Sequence, residues 1–445
     1  MLTVSRGAAL YVGALIGPGL LLVPSLATQA AGPAAILAWG ALLVLSAPLA
    51  IAFAALGVQQ PVAGGVSAYV RAAFGAVPAT IAGAWFLAAV VIGGPAVALI
   101  GGYYVADLTG SGTGVAVATA LAMQATVLAA NAIGLRLSSG FQLALSAVLV
   151  AVVGTAVAVA LPSRATQHWT PFAPHGWWAA GTAANILMWL FIGWEAMAQR
   201  AGECRRPARD LPRAIGLAFA VIAVLYTGLA VATITVTAGS GSRIPLADLI
   251  GVGFGRAGRD ATAILAVALT MGTMNVYTAG AAKLAAAIAP SSWLGGDAHR
   301  DIPRRPLVVL AATGAGLLLA LAAGAIGADD MVRATSACFI AVYVLALASA
   351  GRLLSGRARL AALVALPLVC VVAVFSAGYL LVPALVAVPA TWAATRAARR
   401  GPGRRGSGHR DAPDRSAPSG HPRPERRRSA MLHQLPAEPV VETRR

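Results

Sequence analysis

The chain has 445 residues, 58% of them hydrophobic and only 11% charged, and its mean hydropathy is +0.78. So little charge cannot cover a water-exposed surface, which excludes an ordinary soluble domain and makes lipid the solvent for most of the chain. The formal net charge of +18 does not indicate a nucleic-acid partner, because the basic residues cluster in a C-terminal tail and between apolar runs, where the positive-inside rule places them.

Cys204, Cys338 and Cys370 have no metal-ligand spacing, and His168, His175, His299, His409, His421 and His433 all lie outside the apolar runs. The sequence therefore predicts no disulfide framework, no metal site and no histidine relay.

A helix needs roughly 20 apolar residues to cross the hydrocarbon core. The first predicted span, 7–31, contains Gly13-Ala14-Leu15-Ile16-Gly17-Pro18-Gly19-Leu20-Leu21-Leu22-Val23-Pro24 near its middle. Pro18 removes a helix hydrogen bond and clashes with the preceding turn. Gly17 and Gly19 let the backbone leave helical angles and let a ligand approach. Unpaired backbone at that depth is tolerated only where it lines a cavity or is buried in protein, although Gly and Pro also simply kink many membrane helices. Only Arg6 precedes this span, and Gly-Pro-Gly interrupts it, so it is expected to stay attached rather than act as a signal peptide.

Spans are predicted next at 34–57, 79–105, 114–133 and 139–161, and the sixth, 179–203, holds Phe191-Ile192-Gly193-Trp194-Glu195-Ala196-Met197. Glu195 is the one carboxylate placed at mid-depth, since Asp107 and Glu203 fall near span ends. A charge there costs about 3 kcal/mol even on the lenient insertion scale, so Glu195 faces the bundle interior. Either it has a functional role or it is a structural hydrogen-bonding group between helices. Spans 212–238, 260–288, 306–325, 331–350, 358–375 and 378–395 complete a set of twelve. Only Ser376-Ala377-Gly378 separates the last two, which leaves one long tilted helix as the alternative reading. Residues 396–445 are rich in Arg, Pro, Ser and Gly and are expected to form a disordered basic tail. That tail suits contact with anionic lipid, or regulation.

With the N-terminus in the cytoplasm, the cytoplasmic loops hold Arg6, Arg71, Arg136, Arg200, Arg205, Arg206, Arg209, Arg213, Lys283, Arg300, Arg304, Arg305, Arg352, Arg357 and Arg359. The outer loops hold only Arg164, Arg243, Arg256, Arg259 and Arg333. This asymmetry predicts a multi-pass protein of the inner (plasma) membrane with both termini cytoplasmic.

The two breaks fall at the first position of two consecutive sets of five spans, about 7–161 and 179–350, with two further helices at about 358–395. Interrupted helices at matching positions of two halves point to an inverted-repeat transporter. A half-helix N-terminus offers N–H groups to a carboxylate, and the opposing carbonyls suit an ammonium. A zwitterionic amino acid fits that pair of poles.

These stretches resemble the amino acid–polyamine–organocation transporter superfamily over roughly residues 5–395. The broken first span carries the likeness, as does Ala63-Gly64-Gly65-Val66-Ser67-Ala68-Tyr69-Val70-Arg71-Ala72-Ala73-Phe74-Gly75 with Gly83-Ala84-Trp85. The most specific stretch runs from Phe191-Ile192-Gly193-Trp194-Glu195 through Glu203-Cys204-Arg205-Arg206-Pro207-Ala208-Arg209-Asp210-Leu211-Pro212-Arg213-Ala214. Within the superfamily, the short length and the Asp301-Ile302-Pro303 loop are most similar to bacterial exporters of methionine and branched-chain amino acids.

The resemblance implies an all-α, LeuT-like 5+5 inverted repeat with helices 1 and 6 broken and two C-terminal helices added. It implies that Ile16, Gly17, Pro18 and Gly19 hold the substrate carboxylate and that Phe191, Ile192 and Gly193 meet the ammonium. Trp189 would close over the substrate as a gate, and Glu195 would gate or couple to protons. Asn275 fits a pocket wall and an interhelical hydrogen bond equally well. A coupling lysine in span 5, used by some relatives, is excluded because Lys283 is the one lysine in the chain. Thr270 and Thr273 leave a sodium site open, and no organic cofactor is expected.

Secondary active export of neutral, largely apolar amino acids by alternating access is therefore the leading expectation. An importer or exchanger of the same fold is the runner-up, followed by a transporter-like sensor. An enzyme is not expected, because one intramembrane carboxylate without a histidine makes no catalytic pair.

Overall fold

With no water to bond to, a backbone crossing lipid as a single segment must satisfy itself as a helix. The computed structural model is helical throughout and has no strand among the described residues, which are 3–59, 65–135, 139–162, 166–195, 207–289, 292–297 and 301–399. The 396–445 tail lies outside them, apart from its first four residues, which continue the last helix.

The first span is two short helices, α1 (Val4–Leu15) and α2 (Val23–Ala31), separated by a 3-10 turn at Pro18–Leu21. Next come α3 (Ala35–Gln59), the short amphipathic α4 (Gly65–Phe74), α5 (Ala76–Leu108), α6 (Thr113–Ala132) and α7 (Ser139–Ala160). The sixth span opens with α8 (Trp178–Met188) and a 3-10 turn at Trp189–Phe191. The chain continues as α9 (Pro207–Thr237), α10 (Pro245–Ile288), α11 (Arg304–Ala322), α12 (Ala328–Leu353), α13 (Gly356–Val374) and α14 (Leu381–Arg399). Among the described residues, ten segments are long and apolar enough to cross a membrane unbroken. With the interrupted first and sixth spans they make the expected twelve.

Two details differ from the sequence reading, and the two separate final spans it predicted are present. At about 1.5 Å per residue, the 33 residues of α5 reach about 50 Å, more than the hydrocarbon core, and the helix runs past the predicted span at both ends, from Ala76 to Leu108. Span 8 is preceded by a separate helical stretch, because α10 is kinked at Gly255 (φ 57°, ψ −146°). The last two helices are separate, not one tilted rod. Phe375 ends α13 and stacks on Trp178 with ring centres 4.6 Å apart, and Asn185 Nδ2 donates to Ser376 Oγ at 2.6 Å. The turn is thus tied to the first half of span 6.

The helices pack as two groups. In one, α1, α2, α3, α8 and α9 pack against one another. In the other, α5 is the hub and touches α4, α6, α10, α11, α12 and α14. The helix α7 touches both groups through α1, α9 and α10. Residues 60–64 and 196–206 lie outside the described residues, so Ala63 and Gly64 of the loop motif and Glu203 through Arg206 of the most specific motif have no structural description.

Candidate substrate site between the broken helices

The first break follows from its residues. The last helical bond of α1 runs from the Ile16 amide to Val12 O at 2.8 Å. Gly17 is then extended (φ −126°, ψ −175°), and Pro18, which needs no N–H partner, starts the 3-10 turn. The amides of Gly17 and Gly19 donate to no acceptor among the described residues. In the second break Ile192 is extended (φ −83°, ψ 131°) and Gly193 takes φ 136°. The carbonyls of Phe191, Ile192 and Gly193 accept no hydrogen bond from a described residue. The turn at Pro18–Leu21 touches the turn at Trp189–Phe191, so the two breaks meet.

Three tyrosines from other spans hold the broken backbone. Tyr226 of α9 points its hydroxyl at Leu15 O and Leu190 O, both at 2.9 Å, and so ties the carbonyl ends of both broken helices. Tyr104 of α5 donates to Leu21 O at 2.9 Å on the far side of the first break. Tyr343 of α12 accepts from the Gly193 amide at 3.2 Å and donates to the Glu195 carboxylate. That carboxylate also accepts from the Gly193 amide at 3.0 Å. Glu195 therefore bonds across the break to span 10.

A cavity of about 240 Å³ lies at the meeting point of the breaks. Ile16, Gly17, Pro18, Gly19 and Ile192 line it, as does Trp189. Two expected contact residues do not. Phe191 is buried between Trp39 and Tyr226, with ring centres 6.2 and 5.3 Å away. Gly193 packs close to the backbone of Ala14 in α1. Asn275 does not line the cavity either, although Thr273, Met274, Val276 and Tyr277 do. Its carbonyl meets Asn131 Nδ2 at 3.5 Å, between α10 and α6. Thr270 does not line the cavity, and its hydroxyl bonds within its own helix, to Ala266 O at 2.8 Å.

Other lining residues were not anticipated. Gln142 and Ser146 of α7 face the cavity one helical turn apart. The Gln142 Oε1 is buried and has no hydrogen-bond partner among the described residues. Two polar residues four apart in a largely apolar span were the available signal, and a search for charge alone passes over them. None of the described lining residues is charged.

A second polar cluster stands at the end of the bundle reached by the C-terminus of α5. Arg259 donates to Asp107 at 2.9 Å and to Asp248 at 2.7 Å. Asp248 also takes the Ser242 hydroxyl. Ser242 O in turn accepts from the Ser25 hydroxyl and from Gln29 Nε2 at 3.1 Å, both on α2. The broken first span is thereby connected to α5 through the segment ahead of α10. Arg259 and Asp107 are each about one-third exposed, at 34% and 33%, so solvent weakens this linkage. Arg259→Ala is expected to leave two carboxylates without a counter-charge and to free this segment. Hydrogen exchange across residues 240–250 should then rise roughly tenfold, a change of about 1.4 kcal/mol. Unchanged exchange would mean that the ion pairs do not hold it.

Helices interrupted midway and meeting at a cavity define the broken-helix class of all-α, multi-pass membrane transporters. The chain belongs to the amino acid permease family, which matches residues 2–396. It is similar to an uncharacterised amino acid permease, YecA of Bacillus subtilis, with 34% identity over 359 residues, 79% of this chain and 85% of the relative. It is also similar to the L-methionine/branched-chain amino acid exporter YjeH of Escherichia coli, with 28% identity over 404 residues, 88% of this chain and 95% of the relative. The branched-chain amino acid permease BcaP of Bacillus subtilis shares 28% identity over 267 residues, 55% of each chain.

Proposed function

We propose that this chain is a secondary active transporter that exports neutral, largely apolar amino acids, with methionine and branched-chain residues as the leading substrates. The observation that carries this reading is the cavity itself, which Gly17 and Gly19, whose amides have no acceptor among the described residues, line together with Ile192 and uncharged side chains. The amides suit the substrate carboxylate and the carbonyls its ammonium. A charged side chain would have no counter-charge among the described lining residues, and burying it unpaired is costly. The similarity to the exporter YjeH over nearly its whole length supports the direction.

In this reading α1, α2, α3, α8 and α9 rock against the group around α5, exposing the site to each side in turn. Trp189 closes over the bound amino acid, and Glu195 carries a coupled proton. Thr273, which faces the cavity, keeps a sodium-coupled variant in play. The protein sits in the inner (plasma) membrane with both termini cytoplasmic, as the distribution of Arg and Lys favours.

Import or exchange by the same site is the second reading, favoured by the similarity to the permease BcaP. Cells loaded with labelled methionine or leucine distinguish the two. Faster efflux with the chain than without it is the expected result. Equal efflux, with faster uptake into proteoliposomes, would favour import. Thermal unfolding of the purified chain should shift upward with methionine, leucine, isoleucine or valine, because a ligand of the folded state stabilises it by mass action. No response to any amino acid would overturn the substrate assignment.

A further inference from the structure

Gly93 and Gly94 are neighbours near the middle of α5, and both line the cavity. They differ in what lies beyond the absent side chain. A Cβ at Gly93 would stand 3.1 Å from Thr335 Cγ2 and 3.7 Å from Trp189 Cζ2. Glycine there is explained by close packing of α5 against α12 and the sixth span. A Cβ at Gly94 would meet no atom within 4 Å. No packing contact accounts for glycine at that position.

Gly94 also lines a second void of about 30 Å³ between α5, α6, α10 and α11. Val90, Gly94, Met274 and Tyr277 line both spaces, so the two adjoin along this wall. The second void is also lined by Gln124 of α6. Gln124 is only 8% exposed, and its Nε2 donates to Leu310 O and Ala311 O at 3.3 and 3.4 Å. Its Oε1 is buried and has no donor among the described residues. A buried acceptor of this kind normally has a partner, and here it belongs to a side chain lining a void that adjoins the substrate cavity.

We infer that Gly94 opens a side-chain subsite of the amino acid cavity that leads to Gln124. This rests on reading the cavity as an amino acid site, and it defines the substrate class more closely. The subsite admits neutral side chains about four heavy atoms long, which pass Gly94 between Val90 and Met274. The unpartnered Gln124 oxygen then selects among them for a tip that donates a hydrogen bond, as a carboxamide does. Methionine and glutamine, alike in length, both enter, and glutamine gains the additional bond. Alanine and valine stop short of the opening.

The test is thermal unfolding of the detergent-purified full chain titrated with alanine, valine, methionine and glutamine. For the unmodified chain, methionine and glutamine are expected to stabilise most at equal concentration. Gly94→Val, whose added atoms take up open space beside Gly94, should weaken methionine and glutamine at least tenfold and leave alanine and valine within twofold. Gly94→Ala is the milder form if the valine variant does not fold, and it should show the same order with smaller ratios. Gln124→Met preserves volume and should weaken glutamine about fivefold or more while leaving methionine within twofold.

Methionine binding to Gly94→Val as to the unmodified chain would overturn the subsite. Equal effects of Gln124→Met on both ligands would overturn the selection at its end. An unmodified chain that responds to no amino acid would instead overturn the amino acid reading, and this inference with it. A chain that responds to alanine and valine alone would overturn only the subsite.

Discussion

Gly193→Val is expected to abolish transport and to lower the thermal stability of the protein by several degrees. Two independent costs act at this residue. Its φ of 136° lies where side chains are rarely tolerated, with a penalty of about 1–3 kcal/mol. A Cβ there would also come within 2.9 Å of Ala14 O, a backbone atom in the last turn of α1. Backbone cannot swing aside as a side-chain tip does, and overpacking of this kind costs typically 1–3 kcal/mol more. The strain falls where the two broken helices touch, so relief at one displaces the other. Gly17→Ala is the control. Gly17 is extended, and its added methyl would meet nothing within 4 Å, so that variant should fold normally. Full transport and unchanged unfolding of Gly193→Val would show that the second break can take another conformation.

Glu195→Ala should have the next largest effect, and Glu195→Gln should separate its two roles. The carboxylate takes the Gly193 amide and the Tyr343 hydroxyl. Truncation to alanine leaves the Tyr343 proton without an acceptor in a buried site. A hydrogen bond to a charged group is worth about 1.5–3 kcal/mol, and an orphaned partner adds its own desolvation cost. Transport should fall more than tenfold, with a measurable loss of stability. Glutamine keeps an acceptor oxygen in the same place but cannot change charge. Glu195→Gln should therefore fold normally and transport with little dependence on pH between about 5 and 8. Both donors share Glu195 Oε2, so a proton taken by the carboxyl group removes the negative charge that strengthens both bonds, and glutamine removes that switch. If Glu195→Gln keeps both the rate and the pH dependence of the unmodified chain, the carboxylate is a fixed structural link and the coupled proton binds elsewhere.

Much of this fold was legible before any coordinates. The spans follow from apolar length, and the breaks follow from Gly17-Pro18-Gly19 and Phe191-Ile192-Gly193, because loss of helical hydrogen bonding is a local property of those residues. Glu195 could be assigned to the interior because a charge in lipid is expensive wherever the helix sits. The partners of the broken backbone could not be read the same way. Tyr226, Tyr104 and Tyr343 come from three other spans, and the Tyr343–Glu195 bond joins residues 148 apart. Gln142 and Ser146 were hidden for a related reason, as was the placement of Phe191 and Asn275 outside the cavity. A span that is apolar on every side has no polar stripe to mark which face turns inward.

The sequence by itself therefore determined how many times the chain crosses, where two of its helices stop, and that one carboxylate faces the interior, because each depends on a residue and its immediate neighbours in lipid. The tertiary structure alone decided which side chains close the broken backbone, which ones shape the cavity, and how Arg259 ties α5 to the first span. Those depend on the rotation of each helix about its own axis, and packing against the other helices sets that rotation.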